Sequence, residues 1–299
     1  FVSQLRQFSG AAVQEGSADL TADEKLSLKR AERKRAIVPL GMLKADGSSK
    51  RFYKAAGVQK VEMDDPRTGG RMSMWGLTLD GRQVRTPANK LLSLPCEMMA
   101  MATALEFDVQ DLHILPYTMP MTTLATTAID QICRKPVREH AIEGMMRAAR
   151  QDLICLRSKD QADLIDKEDK SWGPIVDWIS KRFNQEVFVT RDWLNHVQNP
   201  SLVDAIEQDL RSRSDWRLTA LDQVAGTTGS VMISLALCEG FINAEQAVRA
   251  TRVAEEHQAE MWGMVESCGL GGHDVDEADL RARLSAANMF HRLLPNHFR

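Results

Sequence analysis

Residues 72–86 read Met-Ser-Met-Trp-Gly-Leu-Thr-Leu-Asp-Gly-Arg-Gln-Val-Arg-Thr. From Met72 to Leu79 the run alternates around Trp75 and Leu77, the two-residue period of a strand with one buried face. Asp80-Gly81 then supplies the residue pair that accepts the positive φ of a tight hairpin, and Gln83–Thr86 forms the returning strand. Working outward, Phe52–Val61 has the composition of a partner strand, and Asp64, Asp65, Pro66, Gly69 and Gly70 make the turn between the two. Residues 50–95 therefore read as a small antiparallel meander.

Past Pro95 the hydrophobic period lengthens. Met98, Met99, Ala102, Leu105 and Glu106 fit one side of a helix, and Thr122–Ile132 and Arg138–Leu156 repeat the theme. Trp172-Gly173-Pro174 reads as a helix start running through Trp178 to Phe183, with proline where its missing amide hydrogen costs nothing. Asn199-Pro200-Ser201 opens the next helix, Leu202–Leu210. Thr219–Leu237 and Ala244–Met264 follow, with apolar residues at three and four spacings and short loops such as Glu239-Gly240 between them. Asn243, followed three residues later by Gln246, is a capping box for the last of these. No fixed-period repeat is visible, which argues against a solenoid. The predicted fold class is α+β: an N-terminal extension over 1–50, a small antiparallel β-rich domain with the first helices over 51–135, and an α-helical bundle over 136–299.

Composition narrows the function classes. The 299 residues are 43% hydrophobic and 26% charged, with a net charge of -3. That balance gives no bulk attraction to nucleic acid or an anionic membrane, and no apolar run approaches the roughly 20 residues of a membrane span. Cys96, Cys133, Cys155, Cys238 and Cys268 are odd in number and widely spaced, which fits a reducing compartment better than a disulfide framework or a zinc site. Residues 1–50 hold few large apolar side chains. Their basic run, Lys29–Arg35, reads as a solvated helix face because no aromatic residues interleave it to stack on bases. Arg6-Gln7-Phe8-Ser9 resembles an arginine-dependent cleavage site of a mitochondrial presequence.

Candidate chemistry is sparse. Gly226-Thr227-Thr228-Gly229-Ser230 has no lysine after its second glycine and no strand before it, so it reads as close helix packing rather than a phosphate loop. His291 and His297 lack the spacing of a zinc pair, and His273-Asp274 has no third ligand in view. No Gly-x-Ser-x-Gly elbow is present. The expectation is a protein without catalytic residues, metal or cofactor.

Several ordered motifs do rise above background: Arg51-Phe52-Tyr53-Lys54; Val84-Arg85-Thr86-Pro87 with Leu91 and Pro95; Pro116 to Pro120 followed by Met121–Asp130; Asp152-Leu153-Ile154-Cys155-Leu156-Arg157; and Trp172, Pro174 and Trp178. The longest is Gly240-Phe241-Ile242, Ala244-Glu245-Gln246-Ala247, Arg252, Glu255-Glu256, Gln258 and Trp262-Gly263. This set, over about residues 51–294, resembles the assembly chaperones that act on the alpha subunit of the ATP synthase catalytic head. The resemblance implies a chaperone of the mitochondrial matrix, not an enzyme, that binds the free alpha subunit and prevents its aggregation until beta arrives. It places partner contacts at Glu255, Glu256, Gln258 and Trp262, with Glu255 at the position of a functionally important acid. Ala254 and His257 depart from the usual pattern, and Ser267–Gly272 inserts a glycine-rich loop before His273-Asp274. Two other readings stay open: a permanent structural subunit of a mitochondrial assembly derived from such a chaperone, and a metabolic enzyme with an unrecognised site.

Overall fold

The computed structural model describes residues 48–64, 70–192, 197–262 and 273–295. The extension, its basic run and the Ser267–Gly272 insertion predicted from sequence lie outside those residues, apart from the three positions at 48–50. The chain divides into two compact units, Phe1–Pro116 and Tyr117–Arg299.

In the first unit β2 (Ala56–Asp64) and β3 (Arg71–Leu79) pair antiparallel in register from Ala56↔Leu79 to Asp64↔Arg71. β3 is the central strand. Its other edge pairs with β4 (Arg82–Gln83) and β5 (Ser93–Leu94), so its C-terminal half is buried on both faces while its N-terminal half alternates. The expected Asp80-Gly81 hairpin is present, with φ of 48° and 74°. Asp80 also accepts backbone N–H bonds from Lys54 and Ala55 at 3.0 Å, and those bonds hold its carboxyl below the usual range. β1 (Ser49–Lys50) pairs separately with β6 (His113–Ile114).

The predicted strand over Phe52–Val61 begins only at Ala56, because Arg51 and Tyr53 are committed to the end of helix α1 (Glu97–Asp108). The Arg51 guanidinium donates to the carbonyls of Asp108 (3.2 Å) and Lys54 (2.8 Å) and to that of Gln110, a cation at a helix C-terminus. Tyr53 donates its hydroxyl to the Phe107 carbonyl at 2.7 Å, and burial pushes its pKa up to about 12. α1 buries Met99, Ala100, Thr103, Ala104 and Phe107.

The second unit is helical: α2 (Pro120–Thr127) continuing into a π turn at Ala128–Ile132, α3 (Lys135–Arg150), α4 (Ala162–Phe183), α5 (Pro200–Ser212), α6 (Asp215–Thr228), α7 (Val231–Cys238), α8 (Ala244–Trp262) and α9 (His273–Leu293). Every residue of α7 is buried, and α3, α4, α6, α8 and α9 all pack against it. α7 is thus the axis of the bundle. Among the described residues no strand lies within 140–264; Leu156 and Thr190 form an isolated bridge.

Three predicted boundaries are corrected. Pro174 does not open a helix: α4 starts at Ala162 and runs through it. An internal proline costs about 3 kcal/mol, but burial on both sides of it holds the helix together. Glu168 binds the Ser158 amide and hydroxyl at 2.8 and 2.6 Å, the Trp172 indole donates to the Ala250 carbonyl at 2.7 Å, and Ile175 and Ile179 are buried. The single helix predicted over Thr219–Leu237 is two, because Gly229 (φ 68°) ends α6 in the left-handed region and Ser230 caps α7, accepting from the Ile233 amide at 3.0 Å. Gly226 makes no close approach, since a Cβ there would meet nothing within 4 Å. The helix predicted over Arg138–Leu156 stops at Arg150 because Asp152, fully buried, accepts from Ile154 N (3.3 Å) and from Met232 N (3.1 Å) at the start of α7.

Candidate functional site

The capping box expected at the start of α8 is formed. Gln246 N donates to Asn243 Oδ1 at 2.8 Å and Asn243 N to Gln246 Oε1 at 2.9 Å. From that fixed start the 3.6-residue period sets which side chains face the bundle: Ala247, Val248, Ala250, Val253 and His257 are buried. Ala254, Glu255, Glu256, Gln258, Glu260 and Met261 are exposed. Glu255, Gln258 and Trp262 fall at i, i+3 and i+7, one side of the helix, and Glu256 and Glu260 form the adjoining row. Trp262 is the last residue of α8, and its side chain lies outside the described residues.

The acidic ridge is organised from beneath by Arg252, whose side chain is only 9% exposed. Its guanidinium donates to Glu255 Oε2 at 3.0 Å and to Glu277 Oε2 of α9 at 2.6 Å. Glu277 also pairs with Arg281 (2.8 Å), which reaches back to Glu245 (3.0 Å), so the two helices are laced by alternating charges. Lys167 of α4 pairs with Glu260 and holds that carboxyl below the usual range. Glu256 differs from its neighbours. Among the described residues it has no ion-pair partner, and partial desolvation together with Glu277 and Glu260 pushes its pKa up against the opposing pull of Arg252 and Arg249. The ridge therefore holds one carboxylate that is partly desolvated and has no ion-pair partner among the described residues.

Sequence reading found the ridge but missed its base. Arg252 was legible only as part of a motif, because its burial depends on Glu277, a residue 25 positions away on another helix.

A cavity of about 550 Å³ opens elsewhere in the helical unit, where α4, α5, α7 and α9 end and α6 begins. Arg182 and Arg213 are cross-linked there through Asp209 and Glu239, with contacts of 2.5–2.9 Å. Its two groups with catalytic potential are tuned away from reaction at neutral pH. Burial pushes the Cys238 thiol up to about 12, and burial with Arg217 and Arg213 pushes His291 down to about 3. Among the described residues no cluster of three or more His, Cys, Asp or Glu could hold a metal ion, and no helix is long and apolar enough to cross a membrane.

A small antiparallel sheet unit followed by a helical bundle with an exposed acidic ridge defines the fold class as α+β. Comparison with known proteins makes this specific. The profile of the family described as ATP12 chaperone protein matches residues 50–180. The mitochondrial protein atp12 of Schizosaccharomyces pombe is 25% identical over 232 residues, 73% of this chain and 77% of that protein. The crystal structure of Atp12 from Paracoccus denitrificans superposes with a TM-score of 0.70 at 28% identity, over 82% of this chain and 98% of that one. The Atu1473 protein of Agrobacterium tumefaciens gives a TM-score of 0.72 at 26% identity, over 89% and 94% of the two chains. Over most of its length the chain is thus similar to the ATP12 chaperones of ATP synthase assembly. The family match ends before α8, so the ridge is characterised by its own geometry.

Proposed function

We propose that the protein is a chaperone of the mitochondrial matrix that holds the free alpha subunit of ATP synthase until beta binds, with Glu255, Glu256, Gln258 and Trp262 as contacts. An alpha subunit without its neighbour exposes an apolar interface that aggregates, and reversible cover followed by displacement by the larger native interface needs no covalent step. The tuning of Cys238 and His291 away from nucleophile and base chemistry is in keeping with such a non-enzymatic role.

The observation that carries this reading is Glu256. It is exposed, has no ion-pair partner among the described residues and is raised in pKa by partial desolvation, so a cationic side chain arriving from a client finds a carboxylate still open to a direct ion pair. Glu255, by contrast, is already held by Arg252 and serves to shape the ridge. Copurification from mitochondria tests the proposal. The protein is expected to leave with free alpha subunit and to be absent from the mature complex. Stoichiometric presence in the mature complex would make it a structural subunit and overturn the reading.

A further inference from the structure

Helix α1 is apolar on both sides. Beneath its buried face lie β2 and β3, yet Met98, Leu105 and Val109, spaced i, i+7 and i+11 along one side, are 58%, 50% and 69% exposed. Leu112, just past the helix, is 69% exposed. Arg51 N bonds the Leu112 carbonyl at 3.0 Å, which brings the exposed ring of Phe52 to the same end of the helix. A folded unit gains nothing from leaving such a stripe in water, and contiguous exposed apolar surface marks an interaction site.

The charge around the stripe says what fits it. Residues 91–133 contain no lysine or arginine, whereas Glu97, Glu106, Asp108 and Asp111 lie along α1 and its end; exposed Lys50, opposite His113, and Lys54 stand at the Phe52 end. Arg51 is turned inward onto backbone carbonyls, and its ion pair with Asp108 is long at 3.8 Å. Glu97 and Asp111 are exposed at opposite ends of the stripe.

We infer that this face of α1 is a docking surface for an apolar segment of the client polypeptide flanked by lysine or arginine. The inference rests on the client reading above and adds a surface in the β-rich unit and the chemistry of the segment it takes. Apolar contact supplies the area, and the carboxylate rim rejects acidic segments and steers basic ones. The acidic rim and the ridge on α8 both select for a basic client.

The test uses the full chain and purified alpha subunit as probe. Leu105→Glu and, as a second variant, Val109→Glu place a carboxylate in the stripe at positions that already face solvent, so both are expected to melt with the parent. Binding to alpha subunit is expected to weaken tenfold or more in each, and Asp111→Lys is expected to weaken it several-fold and flatten its salt dependence. Met289→Glu, an exposed apolar residue of α9, is expected to bind as the parent does. Unchanged affinity of both stripe variants, with a parent that does bind alpha subunit, would overturn the inference and leave the client reading standing. A parent that fails to bind alpha subunit would overturn both. Two further outcomes would assign the face to another occupant and overturn the inference. One is a parent dimer converted to monomer by Leu105→Glu with client binding intact. The other is a variant effect that vanishes when residues 1–47 are removed.

Discussion

At the scale of single residues, Asp152 and Glu256 are both carboxyls held above their ordinary pKa, for opposite ends. Asp152 is sealed in the bundle, where burial pushes it up to about 6 even though it accepts bonds from Ser230, Met232, Ile154 and Val231. Its ordinary value is 3.8, so the folded state binds its proton more tightly than the unfolded chain. The associated stability is fully present below pH 4 and is lost as pH rises through 6, by on the order of 3 kcal/mol. His291, pushed down to about 3, acts in the opposite sense, since its stability is lost as pH falls below its ordinary 6.5. The Asp152 effect is therefore to be read as a difference. In urea titrations the stability of the parent minus that of Asp152→Asn should fall between pH 4 and 7, and a difference that is flat or rising would contradict the assignment. Asp152 stood in a recognisable motif, but its role was illegible, because the amide it caps belongs to Met232, 80 residues away. Glu256 was singled out in the sequence beside Glu255, yet only the ion pair of Glu255 with Arg252 separates the anchored acid from the one without an ion-pair partner among the described residues. Glu256→Lys should melt within about 0.5 kcal/mol of the parent, as exposed substitutions do; a large loss on thermal melting would make the residue structural.

At the scale of elements, local chemistry was legible wherever a helix or turn is decided by adjacent residues. The Asp80-Gly81 hairpin, the Asn199-Pro200 start of α5 and the Asn243-Gln246 box all follow from side chains within three positions. Pro174 and Gly229 were misread because what decides them is distant: Trp172 is held by a carbonyl of α8, and Ser230 turns the chain into an axis buried on every side. Two substitutions separate these kinds of contribution. Asn243→Ala removes a local cap and should cost about 1 kcal/mol in urea denaturation. Arg252→Ala removes the shared cation of Glu277 and Glu255 together with the packing of its own buried stem and should cost about 2 kcal/mol, with α8 and α9 exchanging amide hydrogens faster than α7. Equal costs for the two would show that the α8–α9 ion pairs contribute little. Arg252→Glu is for the same reason no control for charge on the ridge, whereas Arg249, exposed and paired only loosely with Glu245 at 3.5 Å, is one.

At the scale of the whole molecule, the α+β class was legible from the change of hydrophobic period near Pro95, although α1 beyond it still belongs to the first unit, which ends at Pro116. What each unit offers a partner was not, since exposure of a helix face depends on which neighbours pack against the other. The two surfaces share a logic on the proposed reading: exposed carboxylates on α8 and around α1 suit a basic and partly apolar client. Light scattering by purified alpha subunit, warmed alone and with an equimolar amount of this protein, puts that logic to the test. The parent should suppress aggregation, Arg249→Glu should do so equally well, and Glu256→Lys, folded to the same melting temperature, should protect at least tenfold less effectively per mole. Full protection by Glu256→Lys together with Glu255→Lys, or no protection by the parent, would contradict it.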